Sequence, residues 1–242
     1  MQGVSSPCEV AKLDVFLYRW IISDGNYDDF KAGQKRDFAL EFWAPVSLRK
    51  STKRQKHHTA ISGYRYRVGA EIVFASDEAW VIDCGFLSYS ESANDLESGV
   101  SVGDFVEGEV TFDVDPFFYF ERLHCLDDMP ALIYTWRINS IDQDTSPMLL
   151  SEACGRPVHV RDEQHLVFAP VSGTHQNVVS PPEASLNAYV LHCDLLSVPA
   201  RRQLQRQFSA SSRLLVRLKK YGLLPRFAPR NPKGRFGRLD SK

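Results

Sequence analysis

Glu107, Glu109 and Asp113 fall two and four residues apart in FVEGEVTFDV, a spacing that places all three carboxylates on one face of an extended strand. Acids in that pattern can hold a divalent metal for phosphodiester chemistry, and the solvated outer face of a barrel reads identically. The seven histidines, His57, His58, His124, His159, His165, His175 and His192, form neither H-E-x-x-H nor a finger-type pairing with cysteine. In the neighbour pairs His124–Cys125 and His192–Cys193, adjacent strand residues would point to opposite faces. The chain has no G-x-S-x-G elbow, no phosphate-binding glycine loop with its lysine and no dinucleotide fingerprint. No catalytic residue, metal site or cofactor is expected from these patterns.

The cations carry a stronger pattern. Of the 29 Lys and Arg residues, 13 lie in positions 201–242, where Asp240 is the sole acid. Residues 1–200 keep 16 basic and 29 acidic residues, so a body of charge −13 precedes a terminus of +12, and the whole chain sits at −1. Such asymmetry points to a polyanion, a membrane surface or an acidic protein as partner.

Ser197, Val198 and Pro199 make a helix start, and Gly222 with Pro225 makes a stop, which predicts a helix over Val198–Tyr221. Leu204, Phe208, Leu215 and Leu218 fall on one side of it; Arg202, Arg206, Arg213, Arg217 and Lys220 fall opposite. With no acid among them these cations repel one another, and the compensation must come from the acidic body or from an external anion. Beyond Gly222, Arg226, Arg230, Lys233 and Arg235 stand among Pro, Gly and Asn, a composition that predicts a flexible tail. A second basic cluster, LRKSTKRQKHH, supplies Arg49, Lys50, Lys53 and Arg54 between two strands. Just after it, YRYR sets Tyr64 and Tyr66 on one strand face, with Arg65 and Arg67 on the other. Basic loops beside aromatic strands can form a single-strand platform, in which rings stack on bases and cations track phosphates. A solvated loop and inward-facing tyrosines are the structural alternative.

The elements that must position these residues are short strands. LDVFLYRWII (13–22) and FALEFWAPV (38–46) read as strands bounded by polar segments. From Tyr64 to Phe74 apolar and charged residues alternate around Gly69, where a bend is expected, and AWVIDCGFLSYS (79–90) follows as a hairpin partner. In 105–114, Val106, Val110, Phe112 and Val114 face away from the acids; FFYFERL continues the strand pattern after Pro116, and LIYTWRINSI closes the series. Residues 157–161 and 165–169 read as a hairpin, 188–195 as a further strand, and VSGTHQNVVSPPEAS as a loop.

These readings predict a mainly β protein: an antiparallel β-barrel domain with extra strands over 1–145, an irregular hairpin extension over 146–196, and the basic helix and tail over 197–242. The strand bearing Gly69, the strand ending VIDCG and the run VGDFVEGEV together resemble the middle of an oligonucleotide/oligosaccharide-binding (OB) barrel. With 43% hydrophobic and 24% charged residues the chain can fill a core, and no window reaches the ~18 apolar residues of a membrane span. The amino terminus lacks the features of a secretory signal, and Cys8, Cys84, Cys125, Cys154 and Cys193 are odd in number and widely spaced, so reduced thiols and a cytoplasmic location are expected. The functional expectation is a non-enzymatic binder of DNA or RNA. Its rivals are an interaction module docking on an acidic partner protein and a metal-dependent phosphodiester enzyme.

Overall fold

Period-two alternation buries one face of each strand, and a sheet with one apolar face either packs on another layer or closes on itself. Here it closes. The computed structural model describes residues 11–25, 27–91, 95–153, 156–162, 164–174 and 188–197. In chain order these give β1 (Lys12–Tyr18), α1 (Arg19–Ser23), β2 (Lys35–Phe38), β3 (Leu40–Trp43), β4 (Arg49–Ser51), β5 (His57–Ser62), β6 (Arg65–Ala75), β7 (Trp80–Asp83), β8 (Leu87–Ser90) and β9 (Phe105–Val114). After them come α2 (Phe118–Glu121), β10 (Tyr134–Asp144), β11 (Met148–Ala153), β12 (Arg156–Arg161), β13 (Phe168–Val171) and β14 (Ala188–Ser197).

Strands β6, β7 and β8 form an antiparallel meander, and β9 returns to lie beside β6, pairing Arg65–Glu71 with Phe105–Thr111. That spatial order, fourth strand beside the first, is a Greek key. β3 then closes the ring, antiparallel to β9 through Leu40–Trp43 and parallel to β8 at Glu41–Tyr89. The protein is thus mainly β, built on a closed five-stranded barrel with extra strands. Inward residues of β9 and β6, such as Val106, Val110, Phe112, Val68 and Ile72, meet Phe42 and Phe86 in the core, in the alternation the sequence predicts.

The extra strands extend this sheet. β1 joins β9 at Phe16–Asp113, β14 pairs along β1, and β10 pairs with β14, β13 and β2. Phe38 of β2 stacks on Trp136 of β10 at 5.6 Å between ring centres, and the Trp136 indole N–H donates to the Phe38 carbonyl at 3.2 Å. β13 and β14, from the 146–196 segment, therefore belong to the same sheet as β1 and β10.

Several expected elements change form. The strand expected over 13–22 ends at Tyr18 and turns into α1; that over 38–46 is split at Ala39, whose carbonyl accepts from the Asp115 backbone N–H instead of from a strand partner. Residues 79–90 make two strands around a turn at Gly85, where φ is +107°. FFYFERL is not a strand: Phe117 takes a left-handed φ of 83°, α2 follows it, and a 3-10 turn covers Leu123–Cys125. β12 pairs with β11 instead of with residues 165–169. Among the described residues no helix is long and apolar enough to cross a membrane.

His192 ties three strands together. On β14, its Nδ1 lies 2.7 Å from Asp14 Oδ1 on β1, and its Nε2 lies 3.0 Å from Asp142 Oδ2 on β10. The hydrogen bond to Asp14, opposed by partial burial and reinforced by Asp142, pushes the imidazole up to about 9 from 6.5. A raised folded-state value means that the stabilisation is complete below about 6.5 and is lost as pH rises through about 9. Urea denaturation at pH 6 and pH 10 should show His192→Gln less stable than the parent at the lower pH, with the difference largely gone at the higher one.

Candidate functional site

The outer face of β9 is where charge and aromatic groups collect. A groove of about 750 Å³ runs over it, walled by the β4–β5 connection and lined by Arg49, Lys53, Arg65 and Arg67 against Glu107 and Glu109. Four cations thus face two carboxylates. Glu109 serves two of them, with Arg65 Nη2 at 3.0 Å from Oε2 and Arg67 Nη2 at 3.4 Å from Oε1, while Glu107 accepts from the Ser51 hydroxyl at 3.0 Å. Exposed pairs of this kind are worth about 0–1 kcal/mol, so an incoming phosphate can compete for the guanidinium groups.

Three of the five Lys and Arg residues of the basic cluster have partners outside the groove. Lys50 Nζ lies 2.8 Å from Asp104, and the Arg54 guanidinium sits 5.6 Å from the centre of the Phe105 ring. Lys56 bridges Glu71 and Asp83 at 2.6 and 2.9 Å. Among the residues described, no group of three His, Cys, Asp or Glu side chains is placed to hold a metal ion, Glu107, Glu109 and Asp113 included.

The two tyrosines face inward. Tyr66 is 3% exposed and packs on Phe112 at 5.4 Å; its hydroxyl accepts from the Asp14 backbone N–H at 2.6 Å, and burial pushes it up to about 12. Tyr64 is 7% exposed and accepts from Arg161 Nη2 at 2.5 Å. Rings enclosed this way present no open face to a base.

Open rings lie next door instead. A second groove of about 440 Å³ is lined by Tyr18 and Trp43, which are 38% and 54% exposed, together with Phe16, Tyr64, Asp113 and Arg161. Pro45, Arg65 and Glu109 line both grooves, so the cationic and aromatic surfaces are continuous. Arg161 holds the inner wall: it pairs with fully buried Asp144 at 2.7 Å and lies over the Phe16 and Tyr64 rings at 5.6 and 5.7 Å.

Buried acids lie along the same strands. Burial pushes the Asp113 carboxyl up to about 7, against a hydrogen bond from Thr111. Asp115 is raised to about 7 by burial as well, although the Tyr89 hydroxyl donates to it at 2.5 Å, and burial also raises its neighbour Glu41.

Trp43, Tyr18, Arg65 and Arg67 are missing from the residues singled out as binding candidates, although the alternation around them was readable: Trp43 follows inward Leu40 and Phe42 out of phase, and Arg65 and Arg67 oppose the tyrosines. Arg202, Arg206, Arg213, Arg217, Lys220, Arg226, Arg230, Lys233 and Arg235 lie outside the described residues.

No protein-family model, curated protein or solved structure matches this chain. What defines it is a closed five-stranded barrel carrying a continuous cationic and aromatic surface on one strand face.

The first groove depends on Gly69. A Cβ there would stand 2.5 Å from His57 Cε1 and 2.7 Å from the Gln55 carbonyl oxygen, and the latter is backbone that cannot swing aside. Gly69→Ala should cost about 1–3 kcal/mol in urea denaturation, as overpacking does, by forcing the β4–β5 connection off β6.

Proposed function

We propose that this chain is a non-enzymatic nucleic-acid-binding protein that holds a single strand along the outer face of β9, with the cationic C-terminal segment adding phosphate contacts. The observation that carries this reading is the continuity of the two grooves through Pro45, Arg65 and Glu109, which puts exposed Trp43 and Tyr18 beside Arg49, Lys53, Arg65 and Arg67. Single strands need that combination, because every base has a face to stack and every nucleotide a charge to neutralise. A barrel organised as a Greek key plus a closing strand fits an OB-like reading, in which strand faces and adjoining loops bind oligonucleotides. The cations at Lys50, Arg54, Arg202, Arg206, Arg213, Arg217, Lys220, Arg226, Arg230, Lys233 and Arg235 then act as peripheral phosphate contacts, and Tyr64 and Tyr66 support the strand from within.

A second reading, a protein-interaction module, is favoured by one feature: Leu149, Leu150 and Val160 are exposed on the β11–β12 ribbon. Capture of a protein partner that survives nuclease and high salt would support it.

Anisotropy of a dye-labelled 12-nucleotide strand tests the first reading. Neutralising about six phosphates should give a slope of log K against log salt near −4 on a single strand, and near −5 on duplex. Arg65→Glu with Arg67→Glu should weaken binding at least tenfold, Trp43→Ala should cost about 1–3 kcal/mol, and charge reversal at Arg202, Arg206 and Arg213 should lower affinity and flatten the slope. Unchanged retention in all three would overturn the proposal.

A further inference from the structure

We infer that the second groove is a base-reading subsite: an unstacked nucleobase lies against Trp43 and donates its exocyclic amino N–H to Oδ1 of Asp113. This rests on the reading of the chain as a single-strand binder and adds which bases it selects.

Asp113 lines the groove, the residue is more than nine-tenths buried, and its Oδ1 has no hydrogen-bond partner among the described residues. A buried acceptor without a donor forfeits its hydration and gains nothing in return; Oδ1 is itself closed to water, so an entering base reaches it only by displacing a side chain of the groove. Three neighbouring donors are already engaged. Thr111 donates to the Asp113 carboxylate, Arg161 is held by Asp144 and the Tyr64 hydroxyl, and Arg65 is held by Glu109. The opposing residue on β3 is Glu41, another acid.

The spacing suits a base. Trp43 stands directly across from Thr111 in the β3–β9 ladder, and Asp113 is two residues farther along the same outward face. Two strand residues span about 7 Å, roughly the reach from the middle of a stacked ring to a substituent on its edge. Tyr18, on the neighbouring strand β1, bounds the same space.

One free oxygen accepts one N–H. Adenine, cytosine and guanine each offer an exocyclic amino group, and carboxylates accept from cytosine N4 in known base readout. Thymine and uracil place a carbonyl oxygen where cytosine has its amine, which would set acceptor against acceptor. Cytosine and thymine are single rings of similar stacking area, so comparing them isolates the amino group from stacking strength.

The test uses the full chain with labelled dC12 and dT12 at pH 7.5 and fixed salt, read by anisotropy. The parent should bind dC12 about tenfold tighter than dT12. Asp113→Ala should bring that ratio to within about twofold, and Asp113→Asn, which keeps the side-chain shape, should also reduce it; thermal melts of both variants report whether the fold survives. Equal affinities of the parent for the two strands would overturn the base-reading role and leave the single-strand interface standing. A ratio that persists in both folded variants would overturn it too. Binding of neither strand would sink both proposals together.

Discussion

The ladder between β6 and β9 is the contact on which everything else rests. With β3 bridging β8 and β9, it turns an open five-stranded sheet into a closed barrel, removing two sheet edges that would otherwise expose unpaired backbone groups. It also fixes the register of β9, and with a side-chain period of two, a one-residue slip would exchange the two faces of the strand. Val106, Val110, Phe112 and Val114 would move outward, and Glu107, Glu109, Thr111 and Asp113 would enter the core. Core and binding face are two sides of the same ten residues, so selection for a folded barrel also holds the site in place.

Close approach of the segments at Leu48 and at Gln55–His57 to this ladder explains Gly108 and Gly69 within it. Gly108 lies on the inward face of β9, where Leu48 packs so closely that a Cβ would meet its Cδ2 at 2.6 Å. That contact seats the chain just ahead of β4 on β9, and β4 with the connection after it makes one wall of the cationic groove. Leu48 is fully buried, so apolar burial from the core side sets the position of Arg49, which is exposed one residue later.

Electrostatics divide the molecule by depth. Exposed carboxylates near the first groove are shared among more guanidinium groups than they can neutralise, leaving a local excess of positive charge on a body whose formal total is acidic. Deeper in, Asp113, Asp115 and Glu41 are pushed toward their neutral forms by burial, which lessens the negative field they would otherwise set against an anionic ligand. A chain average therefore says little about the surface a ligand meets.

The sequence by itself determined which face of each long strand is buried, because alternation is a local property that any period-two backbone must express: Tyr66 inward and Arg67 outward follow from their places in YRYR. It also determined the division of charge between body and terminus. Interruptions were less legible. The break at Ala39 depends on a distant backbone group, the Asp115 N–H, which no short window encodes, and the turn at Gly85 and the left-handed Phe117 interrupt runs whose composition reads as continuous strand. Only the tertiary structure decided which basic residues face one groove, which are neutralised by a carboxylate from another strand, and that Trp43, separated from Asp113 by seventy residues of sequence, stands beside it across a two-strand ladder. Pairing register and closure are long-range choices, settled by how the whole apolar surface is buried, and a site assembled from β1, β3, β4, β6 and β9 exists only once they are made.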